Sequence, residues 1–134
     1  MIIRSAACYG TLRPGCGNYE WCARPHRPDV SEGIVRGFQL WGAGAGFPYA
    51  IPGPGSITVS VLTFPEETWP DALRDLDRLE GFPHHYDRLP VRVLQRDAVT
   101  SAWLYTPSDP ERIWDQYDQI RSGDWLAPDA RCAA

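Results

Sequence analysis

TWPDALRDLDRLEG, residues 68–81, is the stretch whose reading decides the architecture. Thr68 stands in N-cap position, with Asp71 at capping-box spacing and Pro70 in the first turn. Gly81 supplies the residue that ends a helix, and Pro83 follows it. At about 100° per residue, Trp69, Ala72, Leu73, Leu76 and Leu79 share one face. Asp71, Arg74 and Arg78 lie opposite, with Asp75 and Asp77 at the edges. The spacing predicts one amphipathic helix laid on a core. Glu80 breaks the pattern, because its place four residues after Leu76 puts it inside the apolar stripe. A carboxylate on a core-facing side is costly unless it is hydrogen-bonded or protonated. Either the helix frays before Glu80 and its side chain reaches water, or burial raises its pKa above the reference of ~4.3.

Short strands surround this helix. Residues 2–8 read as a first strand, stopped by Tyr9-Gly10 and Pro14-Gly15. One or two helical turns fit between Asn18 and Ala23, with Arg24-Pro25 ending them. Gly33 to Trp41 reads as a strand, and Gly42 to Gly55, with its five Gly and three Pro, as a loop. Ile57 to Phe64 is apolar on both parities, so that strand is expected to be buried on both faces. Tyr86 to Gln95 and Thr100 to Tyr105 complete the set, with Asp97 near the turn between them. Neither a repeat nor a linker divides the chain, which reads as a single domain over residues 1–134. The expected class is α+β, a small barrel-like mixed sheet with flanking helices.

A length of 134 residues suffices for a proper core without disulfides or metal. Apolar residues at 43% and charged ones at 22% argue against disorder. A net charge of −4 speaks against nucleic acid or an anionic membrane as main partner. The first ten residues carry no secretory pattern, and no apolar window approaches the ~18 residues of a membrane span. A cytoplasmic location is therefore expected, with Cys8, Cys16, Cys22 and Cys132 reduced.

Tyr9-Gly10-Thr11-Leu12 after the first strand, with Asn18 beyond it, opens a series of five motifs, in order along nearly the whole chain, that resembles the gamma-glutamylcyclotransferase-like family: the first is similar to its Y-G-[ST]-L loop, and Asn18 to an Asn that follows it. Leu76-Asp77-x-Leu79-Glu80-Gly81 with Tyr86 and Arg88 resembles its LDxLEG…YxR segment. Ala102-Trp103-x-Tyr105 and Ser122-Gly123-Asp124-Trp125 are similar to its late AWxY and SGDW stretches. The likeness is greatest to small bacterial members and to gamma-glutamylamine cyclotransferases. One departure bears on pocket shape: Ser60-Val61 stands where kin often carry Gly-Glu or Gly followed by a small residue.

The resemblance implies release of an amine from a gamma-glutamyl group, whose alpha-amine attacks its own gamma-carbonyl to give 5-oxoproline. Nucleophile and electrophile share one molecule, so the enzyme holds the folded conformer and moves protons. Such a reaction calls for no cofactor, no metal and no enzyme nucleophile. One carboxylate of raised pKa can take the ammonium proton and return it to the leaving amine. Glu80 suits that part by its place in the stripe, and by resemblance it stands at the family's catalytic Glu. Tyr9, Gly10, Thr11 and Leu12 are implied to bind the glutamyl group, their amides forming an anion nest. Tyr105 matches a tyrosine close to substrate, and Arg13, Asn18 and Arg88 are secondary candidates. Arg13 and Arg88 compete with the plain reading of solvated surface groups.

Other constellations weigh less. Cys16-x5-Cys22-x3-His26 lacks the tight spacing of a zinc site and a second pair. Cys8 reads as a buried strand thiol, and His84-His85 as loop residues near a pocket mouth. Phe47-Pro48 after Gly42-x-Gly44-x-Gly46 rules out a dinucleotide fingerprint. Two rival readings stay open: a metabolite-binding module on the same fold, which needs a solvated or misaimed Glu80, and an enzyme that strips a gamma-glutamyl cap from a secondary metabolite. The expected partner is a small gamma-glutamyl molecule.

Overall fold

The computed structural model describes residues 2–43 and 45–130; Gly44 and Cys132 lie outside them. Along β1 (Ser5–Cys8), Ala7 enters one buried cluster while Ala6 and Cys8 enter another. That two-residue alternation marks a strand covered on both faces. β2 (Asp29–Trp41) and β3 (Tyr49–Thr63) form a long antiparallel hairpin. Its register jumps from Arg36↔Ser56 to Phe38↔Pro52 around Gly37, whose φ is 86°. β4 (Tyr86–Leu94) and β5 (Val99–Pro107) make a second antiparallel hairpin. β1 then pairs antiparallel with β3 and parallel with β5.

Five strands thus close a ring in the order β3–β1–β5–β4–β2, with β2 returning to β3. Two of its seams are thin: β2 and β4 meet at the single pair Ile34↔Leu94, and β1 and β5 at Ala6↔Trp103. A sixth strand, β6 (Gln119–Ile120), extends the sheet beside Leu40 and Trp41. Inside the ring, Val35, Ile57, Val59, Val61, Val93 and Leu104 are fully buried. Outside it, α1 (Trp69–Glu80) lays Trp69, Ala72 and Leu76 against Ala6, Leu62, Phe64 and Tyr105. Each such large side chain contributes about 1.5–3 kcal/mol by leaving water. The α+β class read from the strand and helix patterns, with the barrel-like mixed sheet that the resemblance implies, is the fold observed.

Several local expectations change. The expected loop 42–55 is a loop only up to Pro48, because Tyr49–Gly55 belongs to β3. Ala50 and Ile51 there are fully buried, and core contact plus pairing with β2 outweighs the Gly and Pro content. The turn expected at 18–23 is a π-helical turn, Tyr19–Ala23, and Arg24-Pro25 continues it as one 3-10 turn to His26. The capping box at Thr68 does not form. Its hydroxyl donates instead to the His26 carbonyl at 2.8 Å, tying the start of α1 to that turn. A short helix, α2 (Pro110–Gln116), was not foreseen.

The end of α1 matters most for the site. Gly81 adopts φ 71°, and the Phe82 N–H reaches the Asp77 carbonyl at 2.9 Å. With the Gly81 N–H on the Arg78 carbonyl, this is a Schellman closure. Glu80 is therefore the last ordered helical residue, and the expectation of a frayed end does not hold.

Candidate active site

The turn that leaves β1 and the end of α1 meet at one mouth of the barrel, around a cavity of about 260 Å³. Its walls are Ala7, Cys8, the Tyr9–Leu12 turn, Asn18, Gly46 to Pro48, Leu79, Glu80, Tyr86 and Tyr105. That volume is at the small end for ligand sites and suits a group of amino-acid size. Glu80 and the loop expected to bind substrate thus face one space.

Burial alone pushes the Glu80 carboxyl up to about 7. The apolar stripe that carries it toward the core is the cause, since desolvation disfavours the ionised form. Such a group changes charge near neutral pH, as an acid–base catalyst must. The neighbouring thiol behaves oppositely: burial, then the nearby Glu80, raise Cys8 far from thiolate formation. Cys22 is likewise pushed up to about 11, mainly by burial.

Across the cavity, the Tyr9–Leu12 turn folds back through Arg13 N–H on the Gly10 carbonyl, 3.0 Å, and Asn18 N–H on the Thr11 carbonyl, 3.0 Å. Among the described residues, the amides of Gly10, Thr11 and Leu12 meet no backbone carbonyl. Successive free amides of this kind make a concavity for anions. Asn18 Nδ2 donates to Thr11 Oγ1 at 2.7 Å, and Trp21 Nε1 donates to Asn18 Oδ1 at 3.0 Å. With one lone pair of Thr11 Oγ1 engaged by that donor, its own hydrogen remains for an acceptor in the cavity. Gly10 serves a close approach: a Cβ there would lie 2.8 Å from the Pro48 ring.

The tyrosine hydroxyls are engaged in structure. Tyr9 donates to the Tyr105 carbonyl at 2.7 Å, and Tyr105 donates to Asp77 Oδ1 at 2.6 Å. Tyr105 is at once a packed strand aromatic and a wall of the cavity. Arg88 grips Asp77 with Nε at 3.0 Å and Nη2 at 3.2 Å, while its guanidinium lies over Phe82 and Trp103. It does not reach the cavity wall.

Arg13 corrects the expectation of a solvated side chain, being only 4% exposed. Its Nε donates to Ser60 Oγ (3.1 Å), Nη1 to Asp124 Oδ1 (2.8 Å) and Nη2 to Glu32 Oε1 (2.9 Å). Ser60 therefore anchors the loop from behind, and neither Ser60 nor Val61 forms part of the cavity wall. The SGDW motif acquires a purpose here, because its Asp124 holds the loop through Arg13. Asp77 and Asp124 were the residues missed; both sit inside the quoted motifs, and that was their only signal. His26 bonds to Asp75 at 2.7 Å, away from Cys16, and no group of three or more His, Cys, Asp or Glu among the described residues is placed to hold a metal. No helix of the described residues is long and apolar enough to cross a membrane.

A closed five-strand ring, with one buried acid facing a loop of free amides, defines a class of small barrel proteins. The family model described as gamma-glutamyl cyclotransferase, AIG2-like, matches residues 6–127, and the chain belongs to that family. Among solved structures it is similar to an AIG2-like protein of Mus musculus, at 23% identity and TM-score 0.70, covering 98% of this chain and 95% of that one. It is also similar to the ytfP protein of Escherichia coli, at 29% identity and TM-score 0.63, covering 93% and 98%. An uncharacterised protein of Pyrococcus horikoshii aligns at 25% identity and TM-score 0.63, covering 90% and 88%. No curated protein matches the sequence.

Proposed function

We propose that this protein is a gamma-glutamyl cyclotransferase that converts a gamma-glutamyl amine or gamma-glutamyl-aminoacyl conjugate to 5-oxoproline and the free amine. The observation that carries the reading is Glu80, raised to about 7 by burial, across one cavity from the unpartnered amides of residues 10–12. Those amides and the Thr11 hydroxyl hold the alpha-carboxylate and the carbonyl oxygen as it gains charge. Glu80 in its carboxylate form takes a proton from the alpha-ammonium. The freed nitrogen forms its bond to the gamma-carbonyl carbon, and electrons move onto the carbonyl oxygen. As they return, the bond to the leaving nitrogen breaks and that nitrogen takes the proton from Glu80; the regenerated carboxylate then takes the second proton from the ring nitrogen and passes it to the released amine, which departs as its ammonium. No other reactant is consumed, and Glu80 ends as it began.

Holding the glutamyl chain folded sets the alpha-amine against its own gamma-carbonyl, and the protein's further part is to move protons and stabilise charge. Tyr9 and Tyr105 act as walls, their hydroxyls being engaged elsewhere. The rival reading as a binding module asks for a solvated or misaimed Glu80; its desolvation argues against the first, and its place in the cavity wall against the second. Incubation with a panel of gamma-glutamyl amines, gamma-glutamyl peptides and glutathione, with assay of 5-oxoproline, tests the proposal. Stoichiometric 5-oxoproline and amine from at least one member is expected; none from any member would refute it.

A further inference from the structure

We propose that the leaving amine carries an aromatic or branched aliphatic body and no charge of its own. The inference rests on the cyclotransferase reading and names the substrate class of that site. With the glutamyl end at the loop amides and the reacting nitrogens at Glu80, the walls left for the leaving group are Phe47, Pro48, Leu79 and Tyr86. Phe47 is 47% exposed, so part of its ring is open to a molecule in the cavity. Its ring meets Tyr49 edge-on, centroids 5.3 Å apart, and Tyr49 stacks with Tyr86 at 6.4 Å and 11°. Tyr49, buried behind the wall, thus ties the rings of Phe47 and Tyr86 together from outside the cavity. Pro48 packs this segment closely against Gly10, where a Cβ would lie 2.8 Å from its ring.

Charge selects in the same direction. Among the described residues lining the cavity, Glu80 is the single charged side chain. Arg112 acts on Tyr49 and Tyr86 from outside the wall and offers no contact within it. A carboxylate on the leaving group would find Glu80 as its charged neighbour and be repelled. An ammonium there would hold Glu80 ionised and oppose the return of its proton to the leaving nitrogen. An apolar body avoids both penalties and gains by covering Phe47 and Tyr86.

The test compares kcat/KM for 5-oxoproline release from gamma-glutamyl phenethylamide, gamma-glutamyl ethylamide, the epsilon-gamma-glutamyl conjugate of lysine and gamma-glutamyl glutamate. The phenethylamide should exceed the ethylamide by about tenfold and the two charged conjugates by about a hundredfold. Phe47→Ala, at an exposed position that the fold tolerates, should shrink the phenethyl-to-ethyl ratio several-fold. Charged conjugates turning over as fast as the phenethylamide would overturn the inference while leaving the cyclotransferase reading intact. So would an unchanged ratio in folded Phe47→Ala, with folding checked by circular dichroism. No 5-oxoproline from any conjugate would overturn that reading and this inference together.

Discussion

The Tyr105 hydroxyl donates to Asp77 Oδ1 at 2.6 Å, joining the strand that walls the cavity to the helix that ends in Glu80. Arg88 completes the junction from the next strand, at 3.0 and 3.2 Å. Asp77→Ala strips both donors of their acceptor and leaves a partly buried guanidinium without its counter-charge. Denaturant titration should show a loss of about 2–3 kcal/mol, the scale of hydrogen bonds to charged groups. Asp77→Asn keeps one acceptor oxygen and should cost less. Combining Asp77→Ala with Tyr105→Phe should cost less than the sum of the two, because both remove the same bond.

Arg13 poses the same question at the other wall. Its guanidinium spreads over Ser60, Asp124 and Glu32, and only this fork can meet three acceptors in three directions. Arg13→Ala should cost about 2–4 kcal/mol, toward the low end of breaking a buried pair, because Glu32 is well exposed. Arg13→Lys should recover only part of that loss. Thermal melts of the three proteins would check the order.

The loop contacts predict an asymmetry between two neighbours. Thr11→Ala removes one neutral donor and should cost about 1 kcal/mol in substrate binding. Asn18→Asp replaces the amide donor with an acceptor, drawing the Thr11 hydrogen away from the cavity. It should raise KM at least as much as Thr11→Ala, although Asn18 only steers the hydroxyl. Steady-state kinetics of the two variants would decide it, and a smaller KM rise in Asn18→Asp would contradict the steering role.

What was legible before the structure, and what was not, divides along the range of the interactions. The helix over 69–80 and the misfit of Glu80 follow from a 3.6-residue period, a local signal that packing then reinforced. The strands expected at 57–64 and 86–95 were legible from another local signal, short runs rich in apolar and β-branched residues. Tyr49–Gly55 was not, because its strand geometry comes from pairing with β2 and from burial of Ala50 and Ile51, against its own composition. Burial of Arg13 depends on partners at positions 32, 60 and 124, and no periodicity announces them. The α2 start was visible as Asp109-Pro110-Glu111, a helix-entry pattern that went unread.

Glu80 also makes stability depend on pH in a defined direction. Its folded-state pKa of about 7 lies above the ordinary 4.5, so between those values the native state keeps a proton that the unfolded chain has lost. Its contribution to stability therefore falls as pH rises through that window and is level on either side. At about 1.4 kcal/mol per unit, Glu80→Gln should be more stable than the parent by about 3–4 kcal/mol at pH 8, with little difference at pH 4. Urea midpoints at the two pH values give the comparison.

Turnover by the same variant bears most directly on the central claim, that Glu80 shuttles the proton between the two amines. The measurement is 5-oxoproline release by Glu80→Gln on the best gamma-glutamyl substrate, beside the parent protein. Glutamine keeps the shape of the side chain and cannot accept the proton, so kcat should fall at least about a hundredfold while substrate still binds. Turnover within a few-fold of the parent, in a folded variant, would contradict the account.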